Sequence, residues 1–451
     1  MSTLDRARLA VLYAREREAF VAARPRSREL AERARQHMPG GVPMSWMVKW
    51  PGDFPVFVDD ASGAHFTCVD GIDHVDLCLG DTGAMMGHSP APTVAAVTEQ
   101  LSRGITTMLP TEDAIAVSTG LADRFGLPYW QFTLTATDAN RHAIRYARHL
   151  TARSKVVVHH YCYHGSVDET FATIGEGGRT VNRPNNIGAP VDTAETTRVV
   201  EFNDLEDLER ALAHGDVAAI LVEPALTNIG IVLPDAGYNE GVRELATKYG
   251  ALLINDETHT ICAGPGGVTA RDRLEPDFLV IGKSIGGGVP CGTFGFTAEV
   301  ADRIARSVEL EDIDVGGIGG TLAGNGLSMA AMKATLEQVM TVEAFERMVP
   351  LADSWADGVQ AGIDAVGAPW HVTRLGARAE YAFAPVPSRN GSEAHDADDF
   401  ELQQYLHLYA LNRGILLTPF HNMALMSPDT TQADVDAHSA MFVECVTELF
   451  A

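Results

Sequence analysis

The chain has 451 residues, 46% of them hydrophobic, enough for a large buried core and for two or three domains, or one large domain with a smaller one attached. Lys and Arg number 34 against 60 Asp and Glu, and the resulting charge of −26 repels phosphate backbones and anionic lipid, so neither nucleic acid nor a membrane is an expected partner. The six cysteines form no CxxC pair and no zinc-like cluster, no apolar run approaches the roughly 18 residues of a membrane span, and acids mix with arginines at the N-terminus; a cytoplasmic protein without a metal is expected.

Residues 3 to about 37 are rich in good helix formers, and Arg24-Pro25 divides them into two helices. Met38-Pro39-Gly40-Gly41 ends the second. Apolar residues at 55–58 and 65–69 flank Asp59-Asp60-Ala61-Ser62-Gly63, which reads as a hairpin with a polar turn. The glycine-rich stretch Asp81 to His88 either admits a ligand close to the backbone or merely connects, and a helix follows from Thr93 to Leu101. A strand is expected from Trp130 to Leu134, then Thr135-Ala136-Thr137, then a helix from Asp138 with Ala143, Ala147 and Leu150 on one face. Hydroxyls and free N–H groups at such a helix start suit an anion, and they equally suit an ordinary N-cap.

A strand from Lys155 to His159 leads to Tyr163-His164-Gly165, and residues 175–197 lack periodicity and read as an irregular excursion. The strand Ala218 to Val222 delivers Glu223-Pro224, and a helix carrying Val242, Leu245, Ala246 and Tyr249 ends at Gly250. Alternation of strand and helix predicts a mostly parallel sheet. Two further apolar runs, Ala251 to Ile254 and Phe278 to Ile281, read as buried strands. Asp256 follows the first and Lys283 the second, which places a carboxylate and an amine at the carboxyl edge of the sheet, where α/β sheets bind ligands. Lys283 is one of five lysines, and it alone follows a buried strand and precedes a glycine triplet. A desolvated amine there is suited to Schiff-base chemistry, the alternative being a lysine that reaches solvent from a strand end. After Gly295 the chain returns to helix, crosses the glycine-rich segment 316–325, and from Ser328 alternates helices and short strands.

Taken in order, Met38-Pro39-Gly40-Gly41, Gly87-His88, Tyr163-His164-Gly165, Glu223-Pro224 with Asn228, Asp256-Glu257, Gly282-Lys283 and Gly320-Thr321 resemble the class III aminotransferases. These are pyridoxal 5'-phosphate enzymes of fold type I, and the likeness is greatest to the branch of glutamate-1-semialdehyde aminomutase and β-amino-acid transaminases. The resemblance implies an α/β fold with a mostly parallel central sheet and a small α+β domain built from both termini, with limits at 1–66, 67–327 and 328–451. It implies that Lys283 holds the cofactor covalently and moves a proton, and that Asp256 keeps the pyridine nitrogen protonated so that the ring is an electron sink. Tyr163 would stack on the ring and Asn228 approach its phenolic oxygen, with His164 and Glu223 beside them. Thr135, Ala136 and Thr137 would hold the phosphate, and Thr321 would reach the phosphate of a second subunit, which implies a homodimer.

The expected activity is a ping-pong transfer of an amino group between an amino donor and a keto acid or aldehyde; the alternatives are a glutamate-1-semialdehyde-type aminomutase, or a lyase or racemase on the same scaffold. Two departures bear on substrate. The arginine of the family's segment after the Pro-Gly-Gly turn is absent from Val42-Pro43-Met44-Ser45-Trp46-Met47-Val48-Lys49, and a C-terminal position that carries arginine in some relatives reads Pro419-Phe420-His421. The substrate-side candidates are therefore Trp46, Lys49, Asp81 and His421, with Asp81 either meeting a cationic group or capping its turn.

Overall fold

In the computed structural model, which describes residues 4–188 and 191–451, the short apolar runs of the middle of the chain become one seven-stranded sheet. Its strands lie in the order Tyr129–Thr133, Gly292–Phe296, Phe278–Gly282, Leu252–Asp256, Val217–Val222, Lys155–His159, Thr197–Val200. Gly292–Phe296 runs antiparallel to both its neighbours, and the other six strands run parallel to one another. Both faces are covered. Val156, Val158, Ile254, Phe278 and Val280 pack with Ala139, Ala143 and Ala147 of the Ala136–Thr151 helix, while Val157, Ile220, Val222 and Leu253 pack with Val242 and Ala246 of the Tyr238–Tyr249 helix. Successive side chains of one strand thus enter opposite cores, which is why these strands read as continuous apolar runs rather than alternating ones. At about 1.5–3 kcal/mol for each large apolar side chain buried, this double core is what holds the strand ends in register.

This sheet belongs to a unit formed by Ala91–Val342 and Ser388–Asp396; a second unit comprises Met1–Pro90, Glu343–Pro387 and Ala397–Ala451. The limits 66/67 and 327/328 read from sequence stand as proposals for domain boundaries beside these structural units. In the second unit the helices Arg6–Ala23 and Pro25–Ala34 meet at the expected proline, and Phe20, Ala31, Phe54, Leu408 and Leu411 form a shared core. A four-stranded sheet joins Val58–Ser62, His65–Cys68, Asp73–Asp76 and Ile415–Leu416, so the two ends of the chain meet in one sheet.

The structure corrects some local expectations and fills stretches that carried none. Asp59 to Ser62 are strand, not turn; the turn is at Gly63, and the strand reads as polar because four of its five residues are exposed. The segment Gly292–Phe296, which the sequence left unassigned up to Gly295, is a central strand, and the helix expected after Gly295 begins at Ala298. The Glu112–Phe125 helix lies in a stretch that the sequence left unassigned. Within 175–197, Thr180–Asn182 pairs with Ala172–Ile174, while Ala189 and Pro190 lie outside the described residues.

Candidate active site

The carboxyl ends of the parallel strands gather the chemistry-bearing residues. Leu252–Asp256 and Phe278–Gly282 are adjacent parallel strands, with Asp256 opposite Val280, so Asp256 and Lys283 emerge side by side from the same edge. Glu223 and Asn228 follow Val217–Val222, Tyr163 and His164 follow Lys155–His159, and Thr135 follows Tyr129–Thr133. This is the edge at which open parallel sheets leave a ligand crevice.

Asp256 is buried and heavily bonded. Its Oδ2 accepts from His164 Nδ1 at 2.9 Å and from Asn140 Nδ2 at 2.8 Å, and its Oδ1 accepts from the Thr258 backbone N–H at 3.0 Å. Burial opposes ionisation, yet the hydrogen bond and charge of His164, with Thr258 and Asn140, hold the carboxyl below the usual range. Burial likewise pulls His164 down, but the Cys162 sulfur and Asp256 outweigh it, and its pKa is pushed up to about 10. A carboxylate has about four acceptor positions, and these contacts fill three, so Oδ1 keeps one for a further N–H such as a pyridinium. Asn140 was not singled out in the sequence. Its signal was a polar residue at i+4 from Ala136 on the buried helix face that also carries Ala139 and Ala143.

Lys283 has φ of +53°, in the left-handed region that costs a non-glycine residue about 1–2 kcal/mol. Such strain at a strand end accompanies functional positions. Its Nζ lies 2.8 Å from His259 Nε2, a contact that the sequence reading missed although His259 stands three residues after Asp256.

The turn after Tyr129–Thr133 opens the Ala136–Thr151 helix two residues earlier than the expected start at Asp138. Thr135 is its N-cap: Oγ1 accepts from Asp138 N at 3.2 Å, so the ordinary capping role is real, and the N–H groups of Ala136 and Thr137 remain at the positive end of the helix. Three glycines crowd this turn. A Cβ on Gly165 would sit 2.1 Å from Thr137 Oγ1, one on Gly282 3.1 Å from Ala136 N, and one on Gly292 2.4 Å from the Thr135 carbonyl carbon. The turn is therefore a cradle closed by backbone, of the kind that suits a phosphate, and the residues present fit pyridoxal phosphate at both its nitrogen and its phosphate ends.

The remaining candidates are placed as follows. Tyr163 is 40% exposed and His164 is fully enclosed. Asn228 donates through Nδ2 to the Tyr161 carbonyl at 2.8 Å, and buried Glu223 accepts from Thr227 Oγ1. Thr321 is exposed. Trp46, Lys49, Asp81 and His421 belong to the other unit. There Lys49 is exposed with Nζ 5.6 Å over the Phe420 ring, and Trp46 meets Phe420 edge-on at 5.9 Å. His421 is buried, its Nδ1 3.1 Å from Glu380, which also receives Arg378 at 2.8 Å. Asp81, half-buried with φ of +50°, sits in a turn closed by its own N–H to the Cys78 carbonyl at 2.9 Å. Among the described residues no helix is long and apolar enough to cross a membrane.

Residues 47–441 match the family model of aminotransferase class-III. A glutamate-1-semialdehyde 2,1-aminomutase of Nitratidesulfovibrio vulgaris is 35% identical over 419 residues, which cover 91% of this chain and 96% of that one. The crystal structure of a glutamate-1-semialdehyde-aminomutase from Pseudomonas aeruginosa is similar throughout, with 48% identity, 99% of each chain covered and a TM-score of 0.97, and a lysine-to-alanine form of it has been solved in complex with PMP. An omega-transaminase from Sphaerobacter thermophilus is 27% identical over 94% of this chain and 98% of its own, with a TM-score of 0.85.

Proposed function

The chain belongs to the class-III aminotransferases, pyridoxal-phosphate enzymes of fold type I, and from that membership we propose that it moves an amino group within one small amino aldehyde, in the manner of a glutamate-1-semialdehyde aminomutase. The observation that carries this choice is the likeness, over 99% of both chains, to a protein described as such an aminomutase. When bound, pyridoxal phosphate supplies an electron sink that stabilises negative charge on the carbon bearing the amino group.

Each residue at the strand edge then has a task. Asp256, kept ionised by His164, Asn140 and Thr258, holds a proton on the pyridine nitrogen. A fixed charge in a buried site acts far more strongly than in water. Lys283 offers its Nζ for the covalent attachment and for carrying a proton to and from the substrate carbon. The Thr135-Ala136-Thr137 turn would hold the phosphate, and Tyr163 and Asn228 would hold the ring. Thr321, exposed on its loop, serves the phosphate of a second copy, which makes the working form a homodimer.

A ping-pong transaminase is the second reading. It is favoured by the missing arginine in Val42 to Lys49, since a simple amine needs no carboxylate grip. The experiment is to supply glutamate-1-semialdehyde to protein loaded with the amine form of the cofactor. Formation of the isomer carrying the amino group on carbon 1 and the ketone on carbon 2, with no carbonyl product that has lost its nitrogen, is expected; stoichiometric release of such a nitrogen-free carbonyl compound from each amino donor would overturn the intramolecular reading in favour of ping-pong transfer.

A further inference from the structure

His259 stands where nothing in the proposed reaction yet uses it. It enters the site from the strand next to that of Lys283: the Glu257 N–H continues the sheet by donating to the Val280 carbonyl at 2.8 Å, and His259 follows two residues later. The short turn that begins with it is tied down on both sides. Ile261 N donates to the Glu257 carbonyl at 2.9 Å and Cys262 N to the His259 carbonyl at 3.2 Å, and the buried Glu257 carboxylate accepts from Thr260 Oγ1 at 2.5 Å and from Val268 N at 3.1 Å. Lys283 is equally constrained, by its left-handed φ of +53° and the turn Lys283–Gly286 that follows. Two rigid turns thus bring Nζ and Nε2 to 2.8 Å without the help of any mobile loop.

At that separation the two nitrogens are within hydrogen-bond distance, one donating and the other accepting. When Nζ is an ammonium, Nε2 must present its lone pair; when Nζ is a free amine, Nε2 can hold the proton and present it to the nitrogen lone pair. Two positive charges so close together repel strongly, and a proton can pass between the two nitrogens with no heavy-atom movement. We propose that His259 is the proton partner of Lys283: it takes the ammonium proton, which frees the Nζ lone pair to form a bond to a carbonyl carbon, and it returns that proton as the carbonyl oxygen leaves as water. The balance is complete, with a C=O and an N–H₂ giving a C=N and one H₂O. The proposal rests on Lys283 being the residue that attaches the cofactor.

The test uses the full-length apoprotein and reads covalent capture rather than turnover. Pyridoxal phosphate is mixed rapidly with wild type, His259→Gln and His259→Ala; the absorbance change gives the capture rate, and borohydride followed by peptide mapping gives the attachment site. General acid–base assistance is worth on the order of 10²–10⁴-fold; for capture, a fall of at least about tenfold is expected in both variants, even though glutamine keeps a hydrogen-bonding group in place, and added imidazole should restore the rate in His259→Ala. Capture at the wild-type rate in both variants overturns the proposal, and so does a slow His259→Ala that imidazole cannot rescue, because that is the behaviour of a purely structural residue. Attachment to a lysine other than Lys283 in wild type would instead overturn the underlying assignment.

Discussion

Replacing Asp256 by asparagine removes the charge facing a buried imidazolium, and the consequence is readable in how stability depends on pH. Burial works against the charge on His164, but Cys162 and the 2.9 Å hydrogen bond to Asp256 more than offset it, and its pKa is pushed up to about 10 from an ordinary 6.5. Between these values the folded protein keeps a proton that the unfolded chain has lost, so stability falls as pH rises, by about 1.4 kcal/mol per pH unit. The contribution is complete below about pH 6.5 and gone above about pH 10. Three and a half decades at that slope set an upper figure near 5 kcal/mol, and the measured cost of breaking a buried ion pair, about 3–5 kcal/mol, agrees. Asp256→Asn preserves the shape of the site but removes the carboxylate's share of what offsets burial, leaving only that of Cys162, so the His164 pKa falls. Urea unfolding of the apoprotein from pH 6 to 10 should show wild type losing stability with rising pH and the variant losing distinctly less, with the gap widest near pH 6.5 and narrowing toward pH 10. Equal slopes in the two proteins would refute the charged-pair description of Asp256 and His164.

Asp256→Asn should also retain cofactor while losing orders of magnitude in turnover, as followed by the change in cofactor absorbance on adding an amino donor. Gly165→Ala, at φ of +78° with a Cβ only 2.1 Å from Thr137 Oγ1, should weaken pyridoxal-phosphate binding by about tenfold or more in a titration, whereas Gly177→Ala, at φ of +71° with nothing within 4 Å, should leave it unchanged. Sedimentation should find a particle of two 48.4 kDa chains, and a monomer that keeps full activity would contradict the role given to Thr321. Lys49→Ala should erase whatever preference the protein shows for carboxylated over simple amines, measured as half-reaction rates, and that preference should be a few-fold rather than a thousandfold.

The sheet edge was legible because its signals are local. Fully buried parallel strands write themselves as unbroken apolar runs, and each ends where a charge or a glycine appears, as at Asp256 and Gly282. Gly292–Phe296 failed to announce itself because its glycines answer to residues distant in sequence: a Cβ on Gly295 would strike the Trp130 ring at 2.6 Å, and one on Gly292 would strike the Thr135 backbone. Locally, two glycines in five residues read as a loop. Asp59 to Ser62 failed for the opposite reason, since an exposed strand needs no apolar face to mark it. Asn140 and His259 were visible as residue types but not as partners. What makes them part of the site is a distance to Asp256 or Lys283 across adjacent elements, and no spacing along the chain encodes it.

The choice between intramolecular and ping-pong transfer turns on where cations are left over. A substrate such as glutamate semialdehyde brings a carboxylate, and a tight grip on it calls for a desolvated, bidentate partner. In the unit that carries the substrate-side candidates, Arg378 is fully buried and donates to Glu380, and Glu380 in turn receives His421; burial opposes the charge of Glu380, but His421 and Arg378 together hold its carboxyl below the usual range. That arginine and that histidine are consumed within one buried network. Lys49 is in the opposite situation, exposed and lying over Phe420 with Trp46 on the ring's edge. An exposed ammonium is a point charge worth up to about 1 kcal/mol to a carboxylate, a factor of five or so. On the aminomutase reading, substrate retention would rest chiefly on covalent attachment to the cofactor, and carboxylate recognition by Lys49 would contribute little. A grip that weak would barely tell a carboxylated substrate from a simple amine, which is why an assay for release of a nitrogen-free carbonyl product separates the two readings more sharply than any comparison of affinities.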